Sequence, residues 1–439
     1  MTVTARLAIR SLSLAFPALF AGCASAPVDQ TELMPAPEVY ESGAIDPFER
    51  VSVGGRHLRS QILFATDRDP AFPEEDEPHY ASRRGYLVRL GHAEILHGDG
   101  DLSWDEARQL SLQPRRKQPY RLQVSAVEEI GVLAKTASPF TDPTLLPAHA
   151  EAPAAAFAAA VDRQLARSQQ RDIVVYVHGF KVPFENPLLV ATELWHFMGY
   201  DGVFIPYSWP ATPRLLAYFS DVETTSLSAH YLGDFIQFLR ARTSAERVHI
   251  LGYSAGTRLV LDALSTLART DELRGKGARI GEVILVGSDV DVGLFGAALS
   301  NGVLDTSERL TVYLSGIDGA LRFANRVFGR ERLGQLIDQD MPTHVAAALE
   351  AADDLVLVDV TDAENAGARS GHSYFRESPW VSSDILATLT TGLGPAARGL
   401  VRKQPALPIW SYPPDFIARL QGGLAQVPAQ RGVEDLASR

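Results

Sequence analysis

The chain has 439 residues, of which 46% are hydrophobic and 21% are charged, so it has enough apolar material to bury a large core. This composition excludes a disordered or a fibrous protein. Its 53 acidic residues outnumber the 41 basic ones and give a net charge of -12, which leaves no basic field to attract a phosphate backbone. We therefore expect no nucleic-acid partner, and we interpret the short basic stretch at 114–121 as a solvated loop.

The first 22 residues have the features of a secretory signal peptide. Two arginines precede an apolar run that is too short to span a bilayer, and small residues follow it. Cys23, the single cysteine of the chain, comes directly after "FAG", and this segment resembles the signal of bacterial lipoproteins, although Phe20 stands where leucine is usual. The resemblance implies cleavage before Cys23, lipidation of Cys23, and export to the bacterial cell envelope with a membrane anchor. An ordinary cleaved signal with an incidental cysteine is the alternative.

The remainder of the chain divides by composition. A stretch rich in Pro, Glu and Ala at 23–57 is predicted to be a tether. Short runs of Val, Ile and Leu then alternate with longer amphipathic segments, which is typical of a mostly parallel sheet flanked by helices. We predict an α/β fold, with β-rich N-terminal strands and insertions at 58–150, an α/β core at 151–390 and a C-terminal tail at 391–439.

Secondary structure is predicted from the spacing of apolar residues. The alanine-rich segment at 150–170 is predicted to be a packed helix, because Phe157, Val161 and Leu165 recur at helical spacing. The predicted strands are short runs rich in Val, Ile and Leu. They lie at 61–66, 85–95, 121–127, 172–179, 201–209, 247–254, 281–289, 309–316 and 354–361.

The segment "RVHILGYSAGTRLVLDAL" at 247–264 changes from a strand pattern to a helical pattern through the motif G-x-S-x-G. A sharp strand-to-helix turn crowds its own backbone, and Gly252 and Gly256 lack the Cβ atoms that would obstruct it. Such a turn exposes the hydroxyl of the central residue. We therefore predict that Ser254 is a nucleophile.

Two backbone N–H groups are predicted to stabilise an oxyanion on a substrate bound to this serine. The first belongs to Ala255, at the start of the helix. The second belongs to Phe180, because the strand at 172–179 ends in His178 and Gly179, and the glycine lets the chain turn toward the site. We expect His178 itself to have a structural role in this loop.

A serine hydroxyl is a weak nucleophile near neutral pH, so it requires a histidine to accept its proton and a carboxylate to orient that histidine. In an α/β hydrolase these residues follow the serine in the order acid, then histidine, each after its own strand. Asp318 follows the strand at 309–316, and His372 follows the strand at 354–361. These two residues are the predicted acid and base.

Other acids and histidines compete for these roles. Asp289 and Asp291 lie at the exit of the strand that directly follows the nucleophile, so either of them is an alternative acid. His230 and His344 lie in helix-like segments, where packing or surface exposure explains them better than catalysis. The choice among the three acids stays open at this point, with Asp318 preferred.

Seven motifs resemble a bacterial family of α/β-hydrolases of unassigned function. They are, in chain order, "ILFATDRDP", "VYVHGFKVPFENP", "PYSWPA", "LGYSAGTRLV", "VGSDVDVGLF", "SGIDGALRFA" and "GHSYFRESP", and the similarity covers roughly residues 58–380. The resemblance implies an α/β-hydrolase fold with the nucleophile at Ser254, the acid at Asp318 and the base at His372. It leaves the substrate undefined, because the family has no assigned activity.

Together these features predict a serine hydrolase of the carboxylesterase type, which cleaves an ester or thioester of a small-molecule or lipid-like acyl substrate through an acyl-enzyme. No cofactor and no metal are expected, because dinucleotide, P-loop and zinc spacings are missing, and in the acidic stretch at 97–106 Trp104 occupies the glycine position of a calcium loop. The alternatives are an acyltransferase that uses the same residues and a non-catalytic binding or scaffolding protein of this fold.

An apolar set after the strand at 201–209 has two interpretations. These side chains either contact the acyl group of a substrate at the carboxyl edge of the sheet or pack a helix onto the sheet. The set consists of Trp209, Leu215, Leu216, Tyr218 and Phe219.

Overall fold

The computed structural model describes residues 28–51, 55–98, 102–113, 115–214, 218–269, 279–336, 342–368, 370–404 and 407–427. The predicted signal peptide and Cys23 lie outside these residues. Within the described part of the chain, no helix combines the length and the apolar character that spanning a bilayer requires.

Twelve described strands form one sheet. They are β1 (Gln30–Glu32), β2 (Arg59–Pro70), β3 (Tyr80–His97), β4 (Arg121–Leu133), β5 (Asp172–Val177), β6 (Val203–Ser208), β7 (Arg247–Tyr253), β8 (Arg279–Val286), β9 (Ser307–Leu314), β10 (Leu355–Asp359), β11 (Val401–Arg402) and β12 (Ile409–Ser411). Each of the nine strands predicted from the sequence overlaps one of these, so those predictions are confirmed.

Helices connect and cover these strands. They are α1 (Trp104–Ser111), α2 (Ala152–Leu165), α3 (Glu185–Phe197), α4 (Tyr218–Arg242), α5 (Gly256–Arg269), α6 (Val292–Ser300), α7 (Gly319–Phe328), α8 (Thr343–Glu350), α9 (Tyr374–Glu377), α10 (Pro379–Thr391) and α11 (Phe416–Leu424). The packed helix predicted at 150–170 is α2, in which Phe157, Val161 and Leu165 are all buried.

The strand order is β1-β4-β3-β2-β6-β5-β7-β8-β9-β10-β12-β11. All neighbours from β2 to β12 in this order pair in parallel, whereas β1, β4 and β3 at one end and β11 at the other join through antiparallel pairs. The prediction of a mostly parallel sheet with a β-rich N-terminal portion is therefore confirmed. The carboxyl ends of the parallel strands meet at one edge, which we call the carboxyl edge.

The sheet is buried on both faces. Helices α2, α4 and α5 contribute to one apolar cluster, and α3, α10 and α11 contribute to the other. Every residue of β5, β6 and β10 is buried. Burial on both faces explains why these strands are continuous apolar runs in the sequence without polar alternation.

Residues 28–51, which were predicted to belong to a tether, are packed against the sheet instead. Strand β1 pairs with β4, and the side chains of Leu33, Met34 and Phe48 are buried. The backbone of Val39 is also fixed, because its N–H donates to Ser383 Oγ and its carbonyl accepts from Gln421 Nε2. The tether prediction is therefore wrong for this segment. The sequence did not reveal the packing because the buried apolar residues are not spaced at a helical or a strand period.

The prediction of a C-terminal tail at 391–439 is also wrong for most of the residues that the structure describes there. Strand β12 extends the parallel sheet beside β10, and β11 pairs with β12. Phe416 and Leu420 of α11 are buried against the same face as α3 and α10. These short elements form through tertiary contacts, which local sequence patterns do not reveal.

Candidate active site

Ser254 lies at the sharp turn between β7 and α5. Its φ angle is 52°, in the left-handed region that residues with a side chain rarely adopt. The turn is fixed by hydrogen bonds, since the Ser254 N–H donates to the Val286 carbonyl at 2.9 Å and Thr257 Oγ1 donates to the Ser254 carbonyl at 2.6 Å. The strained turn that the G-x-S-x-G motif predicts is present at this position.

The glycines at this turn are required by close approach of the chain. A Cβ atom at Gly256 would lie 2.3 Å from the carbonyl oxygen of His178, at the end of β5. A Cβ atom at Gly179 would lie 2.9 Å from the Cβ of Ser254. The loop after β5 therefore contacts the serine directly, and either glycine could be replaced only if the backbone moved.

We expect Gly256→Ala to reduce the free energy of unfolding by about 1–3 kcal/mol and to reduce turnover, because the added methyl group overlaps the end of β5. Chemical denaturation and an activity assay measure the two effects. Gly296→Ala in α6 is the matched control, since a Cβ atom there meets nothing within 4 Å and alanine favours a helix. Equal stability of the two variants would contradict the prediction.

His372 connects Ser254 to a buried carboxylate. Its Nε2 lies 2.9 Å from Ser254 Oγ, and its Nδ1 lies 2.6 Å from Asp318 Oδ2. Asp318 is fully buried and caps the N-terminus of α7, where its Oδ1 accepts from the Leu321 N–H at 3.0 Å. One carboxylate oxygen thus holds the helix while the other faces the imidazole. In this arrangement the histidine can accept the serine proton while the carboxylate stabilises the resulting imidazolium.

The alternative acids have other partners. Asp289 Oδ2 accepts from Arg258 Nε at 3.1 Å, and its Oδ1 lies 3.5 Å from Arg332 Nε. Asp291 caps the N-terminus of α6 and accepts from two backbone N–H groups of its first turn. Asp318 is therefore the acid that the structure brings to His372.

The other histidines are also accounted for. His230 and His344 are exposed on α4 and α8, as their helix-like sequence context predicts. His178 is fully buried behind the turn. Of the histidines weighed as candidates, His372 is the one bonded to Ser254.

Tyrosine side chains and a glycine support the imidazole of His372. The ring of Tyr253 lies 5.1 Å from the imidazole, centroid to centroid. Gly287 has a φ angle of 55°, and a Cβ atom there would lie 3.1 Å from His372 Cε1. The Tyr374 hydroxyl accepts from the Gly287 N–H at 2.6 Å and donates to the Tyr313 carbonyl at 3.0 Å. Sequence reasoning missed these supports, although the motifs "LGYSAGTRLV", "VGSDVDVGLF" and "GHSYFRESP" contain Tyr253, Gly287 and Tyr374.

The loop after β5 is oriented by His178. Its Nδ1–H donates to the Gly179 carbonyl at 2.8 Å, and its ring stacks on Trp209 at 5.3 Å. Burial lowers the pKa of His178 to about 3, so the imidazole is neutral near pH 7. Because the carbonyl and the N–H of a trans peptide point in opposite directions, holding the Gly179 carbonyl directs the Phe180 N–H away from His178.

Arg68, in the first of the seven motifs, holds the same loop from the other side. It is fully buried, its Nη2 donates to the Val182 carbonyl at 2.7 Å, and its Nε donates to Ser208 Oγ at 3.1 Å. Burial lowers the pKa of Arg68 to about 10, so the guanidinium stays charged at neutral pH. The loop that carries Phe180 is thus fixed by Arg68 and His178, which sequence reasoning did not identify as a pair.

The apolar set predicted beside this loop is described only in part. Trp209 is fully buried beneath His178 and donates to its carbonyl at 2.7 Å, which is a packing role. Leu215 and Leu216 lie outside the described residues, as do the side chains of Tyr218 and Phe219.

In the ranges that the structure describes, no group of three or more His, Cys, Asp or Glu residues could hold a metal ion. Asp99 and Asp101 of the acidic stretch lie outside those ranges. Ser103, which follows them, caps α1 through a reciprocal pair of hydrogen bonds with Glu106.

A mostly parallel sheet, with a strained serine turn after one strand and an acid and a histidine after later strands, defines the α/β hydrolases. The family described as "Alpha/beta hydrolase of unknown function (DUF900)" matches residues 153–390, which include Ser254, Asp318 and His372. This match covers more than half of the chain, so the chain belongs to this family, as the motif resemblance predicts. The comparisons with curated proteins and with solved structures gave no match.

Proposed function

We propose that the protein is a serine hydrolase of the carboxylesterase type, with Ser254 as nucleophile, His372 as base and Asp318 as the orienting acid. The observation that carries this proposal is the continuous pair of hydrogen bonds, 2.9 Å from Ser254 Oγ to His372 Nε2 and 2.6 Å from His372 Nδ1 to Asp318 Oδ2. Membership of an α/β-hydrolase family supports the reaction class.

The proposed reaction has two stages. Ser254 Oγ attacks the acyl carbonyl while His372 accepts its proton, and His372 then returns this proton to the leaving alcohol or thiol. Water next attacks the acyl-enzyme with His372 again as base, and the carboxylic acid leaves. Asp318 keeps the proton of the neutral imidazole on Nδ1, so that Nε2 faces the serine.

The N–H groups of Phe180 and Ala255 are proposed to stabilise the tetrahedral oxyanion. Two observations support Phe180 in this role. The Gly179 backbone approaches Ser254 so closely that a Cβ atom would not fit, and His178 fixes the direction of the Gly179–Phe180 peptide. Ala255 directly follows the nucleophile at the start of α5, where N–H groups carry a partial positive charge.

The decisive test of the chemistry is labelling of the purified protein with a fluorophosphonate, which reacts with activated serines. We expect labelling of the wild-type chain and none of Ser254→Ala. Ser300→Ala in α6 is the control and should label like the wild type. Absence of labelling in the wild-type chain would favour a non-catalytic binding protein of this fold instead, and labelling that persists in Ser254→Ala would refute Ser254 as the nucleophile.

Substrate class is tested with nitrophenyl esters of increasing chain length. We propose that esters of short to medium acyl groups are hydrolysed in preference to charged peptides. Amidase activity without esterase activity at any chain length would refute this. Adding an alcohol as a competing acceptor separates the hydrolase from an acyltransferase, since a transferase forms a new ester in place of the acid.

The protein is also proposed to be exported and lipid-anchored at Cys23 in the bacterial cell envelope. The support is the signal-like sequence at 1–22, which ends in small residues next to the single cysteine. Anchoring would hold the enzyme at a membrane, where lipid-like acyl esters are found.

Radiolabelled palmitate is expected to be incorporated into the wild-type chain in bacterial cells, and Cys23→Ser should abolish the label because no other thiol exists in the sequence. The measurement is autoradiography of the immunoprecipitated protein. Ser25→Ala, two residues away, serves as a control that should keep the label. Equal labelling of wild type and Cys23→Ser would refute the anchor.

A further inference from the structure

Exposed apolar side chains occur beside the candidate active site, on α6 and α7. Leu294, Phe323 and Val327 expose 57%, 50% and 44% of their surface. Both helices begin at the carboxyl edge, since α6 follows β8 and α7 follows β9. Large apolar side chains that stay exposed near one edge of a sheet often indicate an interaction surface.

The buried residues of helix α7, Leu321 and Ala324, belong to neither of the apolar clusters on the two faces of the sheet. The first residue of α7 follows Asp318, and after its last turn the chain returns to the exit of β8. There Arg332 Nη1 donates to the Asp289 carbonyl at 3.1 Å, and the Val292 N–H donates to the Glu331 carbonyl at 3.2 Å. Both ends of α7 are thus held at the edge where the Ser254 site lies.

The exposed side of α7 is cationic as well as apolar. Arg322 and Arg326 on the helix and Arg330 just after it are exposed, and Glu331 is the one acidic residue between 319 and 331. This local excess of positive charge contrasts with the net charge of -12 for the whole chain. We call Leu294, Phe323 and Val327 together with these three arginines the α7 surface.

We propose that the α7 surface docks the protein on an anionic lipid bilayer, with the Ser254 site facing the lipid. Arginine beside exposed Phe and aliphatic side chains is the composition that binds the interface of anionic membranes. Phe323 lies about 8 Å along the helix axis from Asp318, at 1.5 Å per residue, so docking brings the reacting groups close to the lipid. This inference rests on the proposed function only for its choice of a lipid-like substrate.

Co-sedimentation with vesicles tests the docking surface. The protein is the mature chain from residue 23 with Cys23→Ser, which contains every described residue and carries no acyl anchor. We expect binding to phosphatidylglycerol vesicles at least tenfold stronger than to phosphatidylcholine vesicles, and weaker binding as salt is added. Equal affinity for the two lipids, or binding to neither of them, would overturn the proposal.

Paired variants assign the binding to the α7 surface. Arg326→Gln with Arg330→Gln should weaken binding to phosphatidylglycerol roughly 10- to 30-fold. Arg59→Gln with Arg279→Gln changes the net charge equally, at exposed positions where β2 and β8 begin, and should change binding little. Equal losses in the two double variants would assign the binding to overall charge and overturn the proposal.

An apolar pair completes the experiment. Phe323→Ser should weaken vesicle binding severalfold. Val28→Ser should not, because Val28 is nearly as exposed (49%) but lies just before β1, at the end of the sheet. Hydrolysis of a soluble nitrophenyl ester is measured in parallel. A chain that binds vesicles through α7 but hydrolyses no ester contradicts the proposed function alone, and the reverse result contradicts the docking surface alone.

Discussion

Replacing Ser254 or His372 by alanine is expected to reduce the kcat for ester hydrolysis by roughly 10⁵- to 10⁶-fold, and replacing both should do little more than either change alone. The reason is that the two side chains act as one unit, in which the serine is not activated without the base and the base has nothing to activate without the serine. Turnover of the two single variants and the double variant, with circular dichroism to verify folding, measures the effect.

Exposed histidines provide the controls for this result. His230→Ala and His344→Ala remove the same side chain from exposed positions on α4 and α8, and both variants should retain near-normal turnover. If the fold-loss of the double variant equalled the product of the two single losses, Ser254 and His372 would act independently. That result would contradict the prediction, because the two side chains are joined by a hydrogen bond.

Asp318→Asn is expected to lower kcat roughly 10³- to 10⁴-fold without unfolding the protein. The amide has nearly the size of the carboxylate, and its oxygen can still cap α7 by accepting from the Leu321 N–H. Its nitrogen would then face Nδ1 of His372, which favours the wrong tautomer and leaves the imidazolium without a counter-charge. Steady-state kinetics together with thermal melting separate this loss of rate from a loss of stability.

The other two acids are the matched controls. Asp291→Asn changes an N-cap of the same kind, on α6, and should leave turnover near normal. Asp289→Asn removes the buried negative charge that pairs with Arg258 and Arg332. It should therefore lower the free energy of unfolding, while the protein that remains folded stays active. Near-normal turnover in Asp318→Asn together with a collapse in either control variant would move the acid to the exit of β8.

The sheet could be predicted from the sequence because parallel strands that are buried on both faces must be short apolar runs. The segment at 28–51 could not, because its order comes from distant partners. Glu193 Oε1 accepts from the Met34 N–H at 2.8 Å, and Arg376 forms an ion pair with the same carboxylate. Neither contact leaves a period or a motif near Met34, so composition alone suggested a tether.

The candidate site, like the fold, could be predicted from the sequence only in part. Ser254 is marked by a local motif, since its turn demands glycines two residues before and after it. The choice of Asp318 over Asp289 needed the geometry, because every parallel strand ends at the same edge and several of them end near an acid. Tyr374 and Arg68 lie in two of the motifs, but their roles escaped prediction because they bind the backbone of other strands and loops, and a backbone partner cannot be identified from the sequence.

The hydrogen bonds that join Val39 to Ser383 and Gln421 have a consequence for the order in which the chain folds. They connect residues 344 and 382 positions apart, so these two partners of Val39 are synthesised near the end of translation. Contacts of such separation form late and slow the final steps of folding, because the loop must close before they contribute any stability. Until α10 and α11 have been synthesised, the apolar side chains that these helices cover stay exposed. The nascent chain can therefore be bound by chaperones and cleaved by proteases until synthesis is nearly complete.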